Sequence, residues 1–300
     1  MIPNSKILVI LGPTATGKSA LAVAIAKKFN GEIISADSRQ VYTGLNIGTG
    51  KVTKKEMCGI PHHLLDVANP KKRFTVVDFQ KHAREKIAEI FSRGHLPIIC
   101  GGTGFYIEAL VDNVILPDVP PNETLRASLR GQAPETLIAT LMKLDPLRAK
   151  NIDPKNSRRI IRAIEVATAL GAVPPISKTV SPFGTLHIGL TLPAEELKKK
   201  IAARLSVRLK IGMITEAKRL HAKGLSWKRM EELGLEYRYL ALFLQNKISK
   251  TEMITRLQYE IWHYARRQMT WFSKNKQIHW FKPKNFSKIQ TEIKNFLEQQ

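Results

Sequence analysis

Two short stretches of the chain carry residues suited to phosphate chemistry. The first is Gly12-Pro13-Thr14-Ala15-Thr16-Gly17-Lys18-Ser19, a G-x-x-x-x-G-K-S pattern. Gly12 and Gly17 free the backbone to turn around an anion, and the N–H groups of the loop and of a following helix would face it. Lys18 would add a point charge for terminal phosphates, and the Ser19 hydroxyl could ligate Mg²⁺. The second is Asp37-Ser38-Arg39-Gln40, whose carboxylate is a candidate general base. A third stretch, Gly101-Gly102-Thr103-Gly104, offers a backbone surface and one hydroxyl.

These residues need elements to position them. Ile7-Leu8-Val9-Ile10-Leu11 runs straight into the glycine loop and reads as a buried strand. Leu21, Ile25 and Phe29 follow at helical spacing and Asn30-Gly31 closes that helix. Glu32 to Ala36 is a short strand ending at Asp37, and Leu96 to Cys100 is another ending at the second glycine run. In a parallel α/β sheet the chemistry gathers at the carboxyl ends of strands, so Asp37 and the P-loop are expected to share a mouth. Pro61 to Val67 could hold a further strand, and 42–55 reads as a loop. Thr75 to Arg93 is a helix opened by a Thr75…Asp78 capping pattern and stopped by Gly94. His62-His63 has no further ligands at metal-binding spacing.

The pattern changes at Leu116-Pro117. Helical patterns at 123–130, 134–144 and 157–170 follow without an apolar strand, which predicts a helical insertion over 116–184. Arg126 lies on the first of these helices and Arg158, Arg159 and Arg162 on the last. Strand character returns at 185–192, so the sheet is expected to be completed by 185–300. One long helix is predicted over 194–223 and a second over 253–272, the latter interleaving Arg256, Arg266 and Arg267 with aromatic residues. Residues 278–281 read as an edge strand and 286–297 as a terminal helix.

Composition narrows the partners. The chain has 300 residues, 43% of them hydrophobic and 24% charged, with Lys+Arg 48 against Asp+Glu 25. The formal net charge is +23 and the pI about 10.1. More than half of the excess falls after Pro193. That balance suits a polyanionic partner such as nucleic acid, although a solvated lysine surface gives the same count. Cys58 and Cys100 are far apart and form neither a disulfide framework nor a zinc motif. No signal-like or membrane-length apolar run is visible, so a cytoplasmic, membrane-free protein is expected.

A motor or signalling NTPase would show an apolar strand ending in a carboxylate for Mg²⁺ and water. Here the strand ends in Cys100-Gly101. No Asn-Lys-x-Asp guanine reader is present. A small-molecule kinase with Asp37 as base remains open on these residues alone.

Six blocks occur in order: Gly12–Ser19, Asp37-Ser38-Arg39-Gln40-Val41-Tyr42, Pro61-His62-His63-Leu64-Leu65-Asp66, Gly101-Gly102-Thr103-Gly104-Phe105-Tyr106, Asn156–Glu165 and Ala265–Phe272. Together they closely resemble the tRNA dimethylallyltransferases, over roughly residues 5–282. The resemblance implies a P-loop-kinase-like parallel sheet core flanked by helices, at 1–115 and 185–300. It also implies an all-α insertion binding the anticodon stem-loop. The implied reaction moves a dimethylallyl group from dimethylallyl diphosphate to the exocyclic amine of the adenine 3′ to the anticodon. The P-loop (Gly12, Pro13, Thr14, Ala15, Thr16, Gly17, Lys18 and Ser19) would then hold diphosphate, with Mg²⁺ at Ser19. Asp37 would be the base, with Thr14 helping to position it or the adenine. Arg204 would bind the leaving group, or else Arg208. Asp37, Ser38, Arg39, Gln40 and Thr103 would meet the adenine or its neighbours, and Arg126, Arg158 and Arg159 the stem-loop. A monomer is expected. Kinases of small molecules, transferases acting on free adenylate and a non-catalytic RNA-binding protein are the competing readings.

Overall fold

The computed structural model describes residues 5–299. Strand β1 (Lys6–Leu11) is followed by the glycine loop and helix α1 (Lys18–Lys28), then by β2 (Gly31–Ala36). A four-residue helix α2 (Lys54–Met57) and the two-residue β3 (His62–His63) precede α3 (Val76–Ser92), β4 (Leu96–Gly101) and α4 (Gly104–Val111). Thr75 and Asp78 form the reciprocal capping box that the sequence predicts at the start of α3.

Residues 114–179 form a separate compact unit. It holds β5 (Val114–Ile115), α5 (Glu123–Leu129), α6 (Pro134–Leu144), α7 (Pro146–Asn151), α8 (Ser157–Leu170) and β6 (Ser177–Lys178). β5 and β6 pair antiparallel. Two-residue strands are too short to show a period, so this ribbon left no trace in the hydrophobic pattern. The unit has its own core of Leu129, Leu137, Leu141, Ile152, Ile160 and Ile164. Within it the buried Glu165 accepts from Arg126 Nη2 at 2.9 Å, from Arg162 Nη1 and from the Asn122 N–H at 2.6 Å.

The second compact unit contains the rest of the chain. β7 (Gly184–Leu190) is followed by α9 (Ala194–Lys210), α10 (Met213–Ala222), α11 (Trp227–Leu233), α12 (Leu235–Leu244), α13 (Lys250–Phe272), β8 (Ile278–Phe281) and α14 (Phe286–Glu298). The single helix expected over 194–223 is two helices. Gly212, at φ +105°, breaks it and starts α10. The apolar spacing of 3.6 continues across the break, which is why periodicity alone joined them. The strand expected over 61–67 shrinks to His62–His63, because Leu64 and Asp66 both take positive φ.

All six strands of the main sheet run parallel, in the order β3-β2-β4-β1-β7-β8. The sheet is buried on both faces. Ile7, Val9 and Leu11 face α3 and α4, whereas Leu8 and Ile10 face α1 and α14. This is why β1 reads as a continuous apolar run rather than an alternating one. A third core joins α9 to α13 with Val41, Tyr42 and Leu45.

Two buried carboxylates tie the chain together. Glu32, near the start of β2, takes Arg93 Nε and Nη2 at 2.9 and 2.8 Å, His63 Nε2 at 2.6 Å and His95 Nδ1 at 2.7 Å. The Arg93 hydrogen bonds chiefly, with the two imidazoles adding, hold its pKa down at about 2. Glu216 on α10 accepts the Asn46 and Ile47 N–H groups at 3.0 and 2.8 Å on one oxygen. Its other oxygen takes the Gly48 N–H at 2.9 Å and the Tyr237 hydroxyl at 2.8 Å. Lys51, 5% exposed, donates to Tyr42 O at 2.8 Å and to Asp66 Oδ1 at 2.6 Å. The 45–51 loop, which has no regular structure, is thereby fixed at both ends.

These two clusters make separate predictions. The folded pKa of Glu32 lies below its unfolded value of 4.5. Its stabilisation is therefore complete above about pH 4.5 and is lost as pH falls toward about 2. Glu32→Gln should lower stability at neutral pH by about 1–3 kcal/mol and flatten the acid limb of a urea-denaturation series. An unchanged acid limb would contradict the assignment. In Glu216→Gln, either orientation of the amide sets an NH₂ against two donors. The variant should lose about 1–3 kcal/mol and be cut faster by trypsin at Lys51, whereas wild-type protection of Lys51 would show that the loop is held by other contacts.

Candidate active site

β2, β4 and β1 are neighbours in the sheet, so the loops that follow them lie side by side. Those loops are Asp37–Gln40, Gly101–Gly104 and Gly12–Ser19. Gly12 sits at φ +136°, and a Cβ there would lie 2.4 Å from Leu190 O, so only glycine lets the loop leave β1 beside β7. Inside the loop, Thr16 Oγ1 donates to Pro13 O at 2.9 Å and Lys18 Nζ to the same oxygen at 2.5 Å. Gly17, at φ +93°, is the N-cap of α1 and supplies no side-chain cap. The first turn also lacks an acidic residue. The helix N-terminus is thus left to an outside acceptor.

Asp37 follows β2 directly. Its Oδ1 accepts the Arg39 N–H at 2.8 Å and the Gln40 N–H at 3.3 Å. Among the described residues Oδ2 has no hydrogen-bond donor, and Asp37 lines a cavity of about 300 Å³. Thr103 Oγ1 accepts the Ser38 N–H at 3.0 Å, joining the loops that follow β2 and β4. The P-loop, Ser35, Gln40, Cys100, Arg204 and Gln268 help to wall the same cavity. A smaller cavity, of about 60 Å³, adjoins it. The two share Thr14, Ala15, Asp37, Thr49, Arg204 and Tyr264, so Asp37 stands at their common wall.

Lys18 and Arg204 both reach the larger cavity, whose wall also carries Asp37 and Glu56. Burial, with a smaller contribution from the Arg204 charge, pushes Lys18 down to about 8. An anion beside it would favour the protonated amine further. Arg204 makes no ion pair or side-chain hydrogen bond among the described residues, whereas Arg208 is engaged. Arg208 Nη1 donates to Glu236 Oε1 at 2.9 Å and to Gly48 O at 2.8 Å. The structure therefore separates the two candidate arginines: Arg204 is free to meet a ligand at the cavity, and Arg208 braces the loop that Glu216 holds. Burial raises the Cys100 thiol to about 11, so it stays neutral. Ser19 is exposed and its hydroxyl has no partner among the described residues. No cluster of three or more His, Cys, Asp or Glu suited to a metal occurs among the described residues.

The other residues singled out from the sequence lie elsewhere. Arg158 and Arg159 are exposed on α8 in the 114–179 unit. Arg126, in that unit, is only 17% exposed in its side chain and is bound to Glu165. It is therefore a core ion pair of the unit rather than a free surface cation. His62, half-buried, lines the larger cavity, with Nδ1 2.8 Å from Ile60 O. Sequence reasoning gave no site role to Tyr264 and Gln268 on α13, both of which line the larger cavity. Their four-residue spacing puts them on one helix face, and that was the available signal.

No helix among the described residues is long and apolar enough to cross a membrane. Residues 40–276 match the model of the IPP transferase family. A tRNA dimethylallyltransferase from a Roseiflexus species is 43% identical over 280 residues, covering 91% of this chain and 90% of that protein. One from Thermomicrobium roseum is 38% identical over 94% of this chain and 87% of its own length. Among solved structures, the tRNA isopentenylpyrophosphate transferase of Bacillus halodurans superposes with a TM-score of 0.75 at 36% identity. That match covers 98% of this chain and 97% of the other. A eukaryotic dimethylallyltransferase described as acting on tRNA gives 0.78 at 26% identity, over 97% of this chain and 77% of its own. The family model spans well over half of the chain and the relatives cover nearly all of it, so the chain belongs to the IPP transferase family.

Proposed function

We infer that this enzyme transfers a dimethylallyl group from dimethylallyl diphosphate to the exocyclic amine of an adenine next to a tRNA anticodon. The observation that carries the reading is the position of Asp37. It stands at the wall common to two cavities, one of which is also lined by Gly17, Lys18 and Ser19 and both of which are lined by the unpaired Arg204. A donor and an acceptor can then approach the same carboxylate from different sides.

The adenine amine is a weak nucleophile because its lone pair is conjugated with the ring. The open Oδ2 of Asp37 takes its proton as the C–N bond forms, while Oδ1 stays anchored by the Arg39 and Gln40 N–H groups. The allylic C–O bond breaks and negative charge grows on diphosphate. Lys18, Arg204 and the N–H groups at the start of α1 are already fixed around that anion, so little reorganisation opposes the charge. Mg²⁺ suits the site: the unpartnered Ser19 hydroxyl and diphosphate oxygens are hard donors, and the ion would keep several waters. It would neutralise leaving-group charge there.

The target base must leave its stack to reach Asp37. Gln40 lines the larger cavity and Arg39 the smaller, and with Ser38 and Thr103 they would meet the base or its neighbours. Arg158 and Arg159 offer cations for the stem-loop backbone, and the basic 195–300 segment adds more. We place the enzyme in the cytoplasm as a monomer, where tRNA is available.

Asp37→Asn tests the reading. The amide retains one oxygen for the two N–H groups but cannot accept the proton. Transfer should fall by at least about a hundredfold, while tRNA binding measured by filter retention stays within about threefold of wild type. Normal turnover in this variant would remove Asp37 from the role of base.

A further inference from the structure

Gln268 lies one turn beyond Tyr264 on α13 and is 6% exposed. Its Oε1 accepts the Thr14 N–H at 2.9 Å, and its Nε2 donates to Gly102 O at 2.8 Å. A single amide therefore joins the P-loop to the glycine loop after β4, across sequence separations of 254 and 166 residues. Both loops wall the larger cavity, and so does Gln268 itself.

Three features set this contact apart from ordinary core packing. Both ends of the amide are used, which requires a side chain carrying an acceptor and a donor in one plane. A Cβ on Gly102 would fall 2.2 Å from Nε2, so glycine at that position makes room for the amide. The bond also commits the Thr14 N–H. That group points to Gln268, and the anion-facing donors of the loop must come from residues after Thr14.

We propose that Gln268 is a positioning residue for the transfer reaction. By holding the Thr14 backbone to Gly102, it sets where the phosphate-facing part of the loop stands relative to Asp37, which follows the neighbouring strand. The amide touches neither reacting atom and acts through Thr14. This assignment rests on the transferase reading.

Gln268→Glu is nearly isosteric and supplies a readout that packing alone would not move. An ionised carboxylate still accepts from Thr14 but opposes the Gly102 carbonyl. A protonated carboxyl donates to that carbonyl and restores both bonds. Burial and the facing oxygen favour the protonated form. The ratio of variant to wild-type kcat should therefore fall as pH rises. We expect it within about threefold of unity near about pH 6 and at least about tenfold lower near about pH 8.5. Gln268→Leu should be slow at every pH.

A ratio independent of pH, or a Leu variant with wild-type kcat, would overturn the proposal. Because each value is a ratio to wild type, a wild-type enzyme that fails to transfer would instead count against the proposed reaction. Should Gln268→Glu unfold at high pH, Gly102→Ala decides the matter, since its Cβ displaces the same amide. Gly102→Ala and Gln268→Leu should each slow transfer and, combined, slow it no further. Fully additive losses would overturn the proposal.

Discussion

The structure depends on holding positive charge and uncapped N–H groups together at one edge of a parallel sheet. Lys18, Arg204 and the start of α1 converge there with no acidic residue in the first turn to absorb the field. Burying the Lys18 ammonium opposes folding, and that burial, with a smaller contribution from Arg204, lowers its pKa. The arrangement persists because β1, β2 and β4 are buried on both faces and leave their following loops little freedom. The sheet supplies the rigidity, and the site uses it to keep like charges close until an anion arrives.

Buried polar contacts carry that rigidity into segments without regular structure. Glu216 satisfies three consecutive N–H groups of a loop that has no strand or helix to pair with. Gly48 in that loop in turn engages Arg208, whereas Arg204, which lines both cavities, has no such partner among the described residues. Gln268 performs a similar task between two glycine loops. In each case a buried polar side chain binds groups from distant parts of the chain and so fixes their geometry.

The local features of this site were legible in the sequence. The apolar run before Gly12, the spacing of Gly17, Lys18 and Ser19, and the strand ending at Asp37 each lie within a dozen residues, and the resemblance to tRNA dimethylallyltransferases needed four further blocks beside the two found here. What was not legible depends on distant pairing. Arg204 and Arg208 lie on one helix at a four-residue interval, and only contacts with Glu236 and Gly48 distinguish them. Gln268 was visible as part of a motif, yet its partners are 254 and 166 residues away. Arg126 looked like a surface cation because the buried Glu165 that claims it lies three helices later. The break at Gly212 escaped because its apolar neighbours keep helical spacing on both sides.

The central claim is that the glycine loop holds a leaving diphosphate rather than a nucleotide whose phosphate is transferred. The most direct measurement is the mass of tRNA after incubation with the enzyme, dimethylallyl diphosphate and Mg²⁺, with released diphosphate counted in parallel. The account predicts a gain of one dimethylallyl group on a single adenosine, with one diphosphate released for each group added. An unchanged tRNA mass, together with ADP formed from ATP and a phosphorylated small acceptor, would contradict it.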